Sequence, residues 1–176
     1  MRPIVCCCGT LLNHLSRWLD YWFQKLRPLI PAYIKDSSQL LSKLKELHQD
    51  GRLPFDIWLF TADARSMYTN IDTTHTLEMI CKWLDKLSRD GFLPQDFPLA
   101  AVKEAMALIM LNNVFEWGDL YFLQLLGTAM GTSVACTWAT IYFGIHENYT
   151  LLPRFSRHLI LYSRFIDDIL AFGLVT

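Results

Sequence analysis

Apolar positions recur at three- and four-residue spacings from Thr10 to Leu26. Leu11, Leu12, Leu15, Trp18, Leu19 and Trp22 share one face of a predicted helix, which Pro28 and Pro31 terminate. Ser37-Ser38 opens a second predicted helix with Leu40, Leu41, Leu44 and Leu47 as its stripe, stopped by Gly51. Residues 54–60 (PFDIWLF) are rich in aromatic and β-branched side chains and predict a short strand. A third helix is expected from Thr74 to Ser88, closed by Gly91, and a fourth from Leu99 to Asn112. Val114 to Leu123 predicts a hairpin turning at Trp117-Gly118-Asp119. A buried helix follows over Thr132–Asn148, then two very apolar strands, Leu159–Ile166 and Ile169–Leu174, around Asp167-Asp168. Helices mixed with antiparallel strands in this order predict an α+β fold, a sheet with helices packed on one face. No repeat and no Ser/Gly linker divides the chain.

Composition narrows the class. The 176 residues fit one domain, and 52% apolar with 19% charged residues excludes a disordered or fibrous chain. A net charge of −1 argues mildly against nucleic-acid binding, which usually leaves a basic excess. The average hides an asymmetry. Residues 1–52 carry eight basic and four acidic side chains, whereas residues 53–147 carry five and eleven. Of the five Cys, three are consecutive (Cys6, Cys7, Cys8), and no CxxC pair exists to wrap a zinc ion. Reduced, buried thiols in an intracellular protein are expected. The first residues lack the ordered regions of a signal peptide. Leu120 to His146 contains no Lys, Arg, Asp or Glu and is long enough to span a bilayer. A small, polar cluster at 127–133 interrupts it and suits a turn between strand and helix better than a bilayer interior.

Two adjacent carboxylates between apolar strands admit two readings. Asp167-Asp168 is either a solvated acidic turn or a cation site, because neighbouring carboxylates repel unless a cation or donor compensates. Asp63, at the end of the PFDIWLF strand, is by itself most simply a cap or turn residue. Three carboxylates at neighbouring strand ends would instead suit Mg²⁺, which takes one or two protein carboxylates and leaves other positions to phosphate and water. Two such ions can activate a hydroxyl and stabilise a leaving oxygen in phosphoryl transfer.

Three strings then stand in order. Ala62-Asp63-Ala64-Arg65-Ser66-Met67-Tyr68-Thr69-Asn70-Ile71 resembles reverse transcriptase motif A in its DVxSLYTNI form. Gly127-Thr128-Ala129-Met130-Gly131-Thr132 is similar to motif B (GTAMGT), and Arg164-Phe165-Ile166-Asp167-Asp168-Ile169 to motif C (RYIDDI). Upstream, Arg2-Pro3-Ile4-Val5 resembles the RPIV segment that precedes motif A, and Asn112 to Glu116 the stretch before motif B. The ordered set covers nearly the whole chain and looks most like the palm of Penelope-like retroelements. Departures are Leu126 where the wider family has Gln, and Cys136-Thr137-Trp138-Ala139-Thr140 where APxxAN is usual.

The resemblance implies a polymerase palm with incomplete fingers and no thumb. Residues 1–52 would be a fingers-proximal helical segment and 53–176 the palm, truncated after motif C. It implies RNA-directed DNA polymerase chemistry, weak or absent in this fragment, in which two Mg²⁺ ions (or Mn²⁺) serve nucleotidyl transfer from dNTPs to a DNA primer on an RNA template. Asp63 and Asp167 would bridge both ions, Asp168 would support one, and the carbonyl of Ala64 would complete a coordination shell. Tyr68 would gate against a 2′-hydroxyl, Gly127 and Gly131 would let backbone approach the nucleotide, and Arg2 would contact triphosphate or template. An intracellular location, the nucleus included, without stable membrane association, is expected. Two other readings remain: a non-catalytic remnant that binds RNA or protein, and a membrane protein spanning at 120–146.

Overall fold

The computed structural model describes residues 7, 9–51 and 56–174. Helices α1 (Leu11–Gln24) and α2 (Ser37–Gln49) precede strand β1 (Ile57–Asp63). Helices α3 (Thr73–Arg89) and α4 (Leu99–Leu111) lead to the strands β2 (Val114–Trp117) and β3 (Leu120–Leu123). Helix α5 (Ala135–His146), a π-helical turn (Glu147–Leu151) and the short α6 (Leu152–Phe155) follow, then β4 (Leu159–Phe165) and β5 (Asp168–Leu174). The expected elements are therefore present, as mixed helices and antiparallel strands. α5 is shorter than expected, Ala135–His146 against Thr132–Asn148, and two further boundaries that differ bear on the aspartates. β1 reaches Asp63, because its pairing with β5 continues to the Asp63↔Asp168 position. The second hairpin turns at Ile166-Asp167, so Asp168 already belongs to β5.

The chain forms two compact units, Met1–Arg27 with Ser66–Ile145, and Pro28–Arg65 with His146–Thr176. In the first, α4 packs against α1 and α3. Leu19 and Phe23 of α1, Leu84 of α3, and Val102 and Met106 of α4 are wholly buried. Burial of such side chains stabilises by about 1.5–3 kcal/mol each. Asp72 caps α3, accepting from the His75 amide at 2.8 Å. α5 is apolar on nearly every face, as a buried helix must be. Its Trp138 is fully buried, so the bulk at that motif position is core packing. The Ser16 hydroxyl accepts from the Val134 amide at 3.2 Å, and Thr137 donates to Asp20 at 2.5 Å.

In the second unit the three strands lie in the order β1-β5-β4, all antiparallel. The outer edge of β4 is covered by residues 30–34. There the Arg164 amide donates to the Ala32 carbonyl at 2.7 Å, and the Ile34 amide to the Arg164 carbonyl at 2.9 Å. Asp36 caps α2 through the Gln39 amide. β1 is largely exposed, including Trp58, Leu59 and Phe60.

The charge-free stretch 120–146 is a strand, an irregular loop and a 12-residue helix. No helix among the described residues is long and apolar enough to cross a membrane. The span weighed from sequence is thus not formed, because the small polar residues after Leu126 break the chain direction. Cys7, Cys81 and Cys136 are only half-buried, which corrects the expectation of buried thiols. Burial pushes the Cys81 thiol up, with Asp85 adding to the shift and Lys103 opposing it. Cys6 and Cys8 lie outside the described residues.

Candidate functional site

Antiparallel pairing decides which carboxylates meet. Directly opposed residues on neighbouring strands share a face, with Cβ atoms about 4.5–5.5 Å apart. Asp63 is opposite Asp168, which is in turn opposite Phe165. Two residues along, Thr61, Leu170 and Ser163 form the next row. Both rows line one cavity of about 460 Å³, with Ile34 and Leu40 also in its wall. The structure therefore brings Asp63 and Asp168 together, both exposed, on one face at the end of the sheet.

Asp167 occupies the turn instead. Its carbonyl accepts from the Ala64 amide at 2.9 Å, which extends the β1–β5 pairing past the strand ends. That bond ties the backbone of Ala64 to the turn. Among the described residues no three His, Cys, Asp or Glu side chains converge as a metal-binding group. The donors at the end of the sheet are carboxylate and carbonyl oxygens, the chemical kind that Mg²⁺ takes, and a pair of carboxylates is within its usual protein share.

Backbone strain marks the turn that carries Asp167. The only non-glycine residues with positive φ among those described are Ser66 and Ile166, each at 55°. Ser66 follows Asp63 by three residues, and Ile166 immediately precedes Asp167. A β-branched residue in the left-handed region is a genuine outlier, costing on the order of 1–3 kcal/mol. Ile166 is the first of two residues between paired strands, and Asp167, the second, has no positive φ. This is the sign pattern of a type II′ turn, which normally puts Gly at that first position.

Beneath the turn lies a buried ion pair. Arg164, 1% exposed, donates from Nε to Glu147 Oε1 at 2.5 Å and from Nη2 to Oε2 at 3.0 Å. Its Nη1 donates to the Ile166 carbonyl at 2.8 Å. The Tyr162 hydroxyl donates to Glu147 Oε1 at 2.9 Å. Burial, the Glu147 charge and that hydrogen bond push the Tyr162 phenol far up, so it stays protonated and donating. Sequence reasoning passed over Glu147 and the strain at Ile166. The available signal was a lone Arg inside the apolar strand LILYSRF, which demands a buried partner.

Tyr68, Gly127 and Gly131 belong to the other unit. Gly127 has φ 75°, and its amide donates to the Ile71 carbonyl at 2.8 Å. The Thr128 amide donates to the Tyr68 carbonyl, also at 2.8 Å. A Cβ on Gly127 would meet the Tyr68 carbonyl oxygen at 2.2 Å, so no other residue fits without moving backbone. Thr73 adds a hydroxyl donated to the Gly127 carbonyl at 3.1 Å. Gly127 thus has an internal reason to be Gly, the locking of its loop onto the backbone of Tyr68. Tyr68 is half-buried and Gly131 exposed. Arg2 lies outside the described residues.

No protein-family model and no curated protein matches the chain. Solved structures do. Apo telomerase from Candida tropicalis superposes with a TM-score of 0.65 at 10% identity, over 93% of this chain and 31% of that one. Telomerase from Candida albicans, in complex with a fragment of telomeric RNA, gives 0.64 at 14% identity over 92% and 30%. A C. tropicalis telomerase truncated from its C-terminal domain gives 0.62 at 12% identity over 94% and 34%. The chain spans about a third of the length of these structures. What it shares with these telomerases is the fold of that third.

Proposed function

We propose that the chain is the palm-containing part of an RNA-directed DNA polymerase of a Penelope-like retroelement. The observation that carries this reading is the Asp63–Asp168 pair, set on one sheet face beside a strained two-residue turn. The telomerase-like fold supports it, and the RNA-bound C. albicans telomerase supports RNA as the partner class. In this reading residues 1–52 approach the fingers and residues 53–176 form the palm, with a sheet backed by helices.

Asp63, Asp167 and Asp168 would hold the Mg²⁺ ions, with the Ala64 carbonyl as a further oxygen donor. Mg²⁺ bound there supplies charge neutralisation for the attacking and leaving oxygens of nucleotidyl transfer, with Mn²⁺ as a substitute. Tyr68 would stand against the sugar of an incoming dNTP, held by the Gly127 loop on its carbonyl. Gly131 would offer backbone without a side chain to the nucleotide, and Arg2 a cation to its triphosphate or to the template. The DNA primer would supply the attacking 3′-hydroxyl.

Primer extension on poly(rA)/oligo(dT) with Mg²⁺ or Mn²⁺ tests the reading. Weak extension is expected, abolished by Asp63→Asn and by Asp168→Asn. Extension indifferent to both substitutions would overturn it. RNA binding without any divalent-ion dependence would instead identify a non-catalytic remnant.

A further inference from the structure

We propose that the buried Glu147–Arg164 pair is a positioning device that selects the conformation of the turn carrying Asp167, and through it the cation site; this rests on the polymerase reading above. Three observations lead there. First, the pair is a poor source of stability. Desolvating two charges offsets most of their attraction, and apolar replacements of similar volume are often neutral or better. A pair buried to 1% and 4% side-chain exposure at so little gain calls for another role.

Second, the geometry has a direction. Glu147 occupies Nε and Nη2 of the guanidinium in a two-pronged contact, which leaves Nη1 aimed at the Ile166 carbonyl. The planar fork fixes where that third arm points, which a lysine ammonium does not do. Tyr162 holds Glu147 from its other side.

Third, the carbonyl concerned is the one that defines the turn. Turn types I′ and II′ share a positive φ at the first central residue and differ in the orientation of the central peptide. Flipping that peptide carries the second residue to positive φ, a region Asp tolerates better than most residues. The central peptide here joins Ile166 to Asp167. A donor on the Ile166 oxygen therefore holds the II′ arrangement and keeps Asp167 out of the left-handed region. With Asp167 so held, its carbonyl accepts from Ala64, which keeps β1 and β5 paired up to the Asp63–Asp168 row. Arg164 and Glu147 touch no reacting atom in this scheme and act through the turn.

The test uses the full chain as wild type, Arg164→Lys and the double variant Glu147→Met/Arg164→Met, which leaves no buried charge. Hydrogen exchange over residues 165–170, cooperative unfolding, and Mn²⁺ binding by electron paramagnetic resonance are measured, with Asp63→Asn as the site control. Both variants are expected to unfold cooperatively, to exchange faster in the turn, and to bind Mn²⁺ about 10-fold or more weakly, the usual effect of losing a supporting contact around a metal site. Unchanged exchange in a folded variant would overturn the proposal, as would a loosened turn with wild-type Mn²⁺ affinity. Should Arg164→Lys fail to fold, the double variant carries the same outcomes. A wild-type chain that binds no Mn²⁺ would sink the polymerase reading instead. The exchange data would then still decide whether the pair holds the turn.

Discussion

The two hairpins of this protein use one turn pattern with opposite chemistry. β2–β3 connects through Gly118-Asp119 and β4–β5 through Ile166-Asp167. In each, the first connecting residue has positive φ, 63° at Gly118 and 55° at Ile166, and the second is an Asp without it. Gly118 meets nothing within 4 Å where a Cβ would stand, and the strands around it are exposed, Trp117 at 76%. There the turn is relaxed and left to solvent, and the strands are joined by stacking of Phe115 on Phe122, ring centroids 5.5 Å apart. Ile166 adopts nearly the same φ at a steric cost, with a buried arginine donating to its carbonyl. Strained backbone persists only where surrounding structure over-determines it. The contrast locates that surplus structure at the turn that carries Asp167, whereas the Gly118 turn needs none.

Removing the support should give the largest effect. Glu147→Ala leaves Arg164 buried without its partner, and a loss of about 3–5 kcal/mol is expected in denaturant unfolding. A loss below 1 kcal/mol would mean that the guanidinium finds water or another acceptor. Next, Gly118→Ile imposes on the first hairpin the strain of the second without its buried arginine. A destabilisation of about 1–3 kcal/mol is expected, visible as fraying of 114–123 in hydrogen exchange. Equal tolerance at both turns would erase the contrast.

The converse substitution sharpens it. Ile166→Gly relieves the left-handed strain while adding backbone entropy to the unfolded chain, for a net gain of about 1 kcal/mol. The midpoint of urea unfolding should rise, and a fall would show that Ile166 is held by its side-chain packing. The smallest effect concerns pH. Folding holds the proton on Tyr162 more tightly than the unfolded chain does. Its contribution is therefore complete below a phenol's ordinary value of about 10, and it is lost as pH rises above that value. Tyr162→Phe should flatten this alkaline decline when unfolding is followed from pH 8 to 11.

Much of this architecture is legible in the residues themselves. Leu19, Ile80 and Leu84 fall on predicted helical faces and are buried in the structure, whereas Leu11, on the same predicted face as Leu19, is exposed and Phe23 is buried in its stead. Asp63, Asp167 and Asp168 stand out because carboxylates interrupt apolar strands. The turn position was not legible, because residue preference assigns positive φ to Asp before Ile, whereas the strand register forces it onto Ile166. Nor was the partner of Arg164. Glu147 reads as one more polar position on a helix, and only the π-helical turn that begins with it shows that helical periodicity ends there. Gly127 was legible as a glycine that must be one. The carbonyl it presses against belongs to Tyr68, fifty-nine positions earlier, and no local pattern connects the two.

The register of β5 has a consequence for how this chain can vary. Side chains alternate between faces with a period of two, so a change in turn length that slips β5 by one residue against β1 would send Asp168 to the opposite face from Asp63. Substitutions in the turn change its energy, whereas a change in its length that shifts the register separates the carboxylates. In a library of single-residue insertions and deletions, the stretch from 165 to 168 should therefore be as intolerant as the hydrophobic core, although its residues lie near the surface.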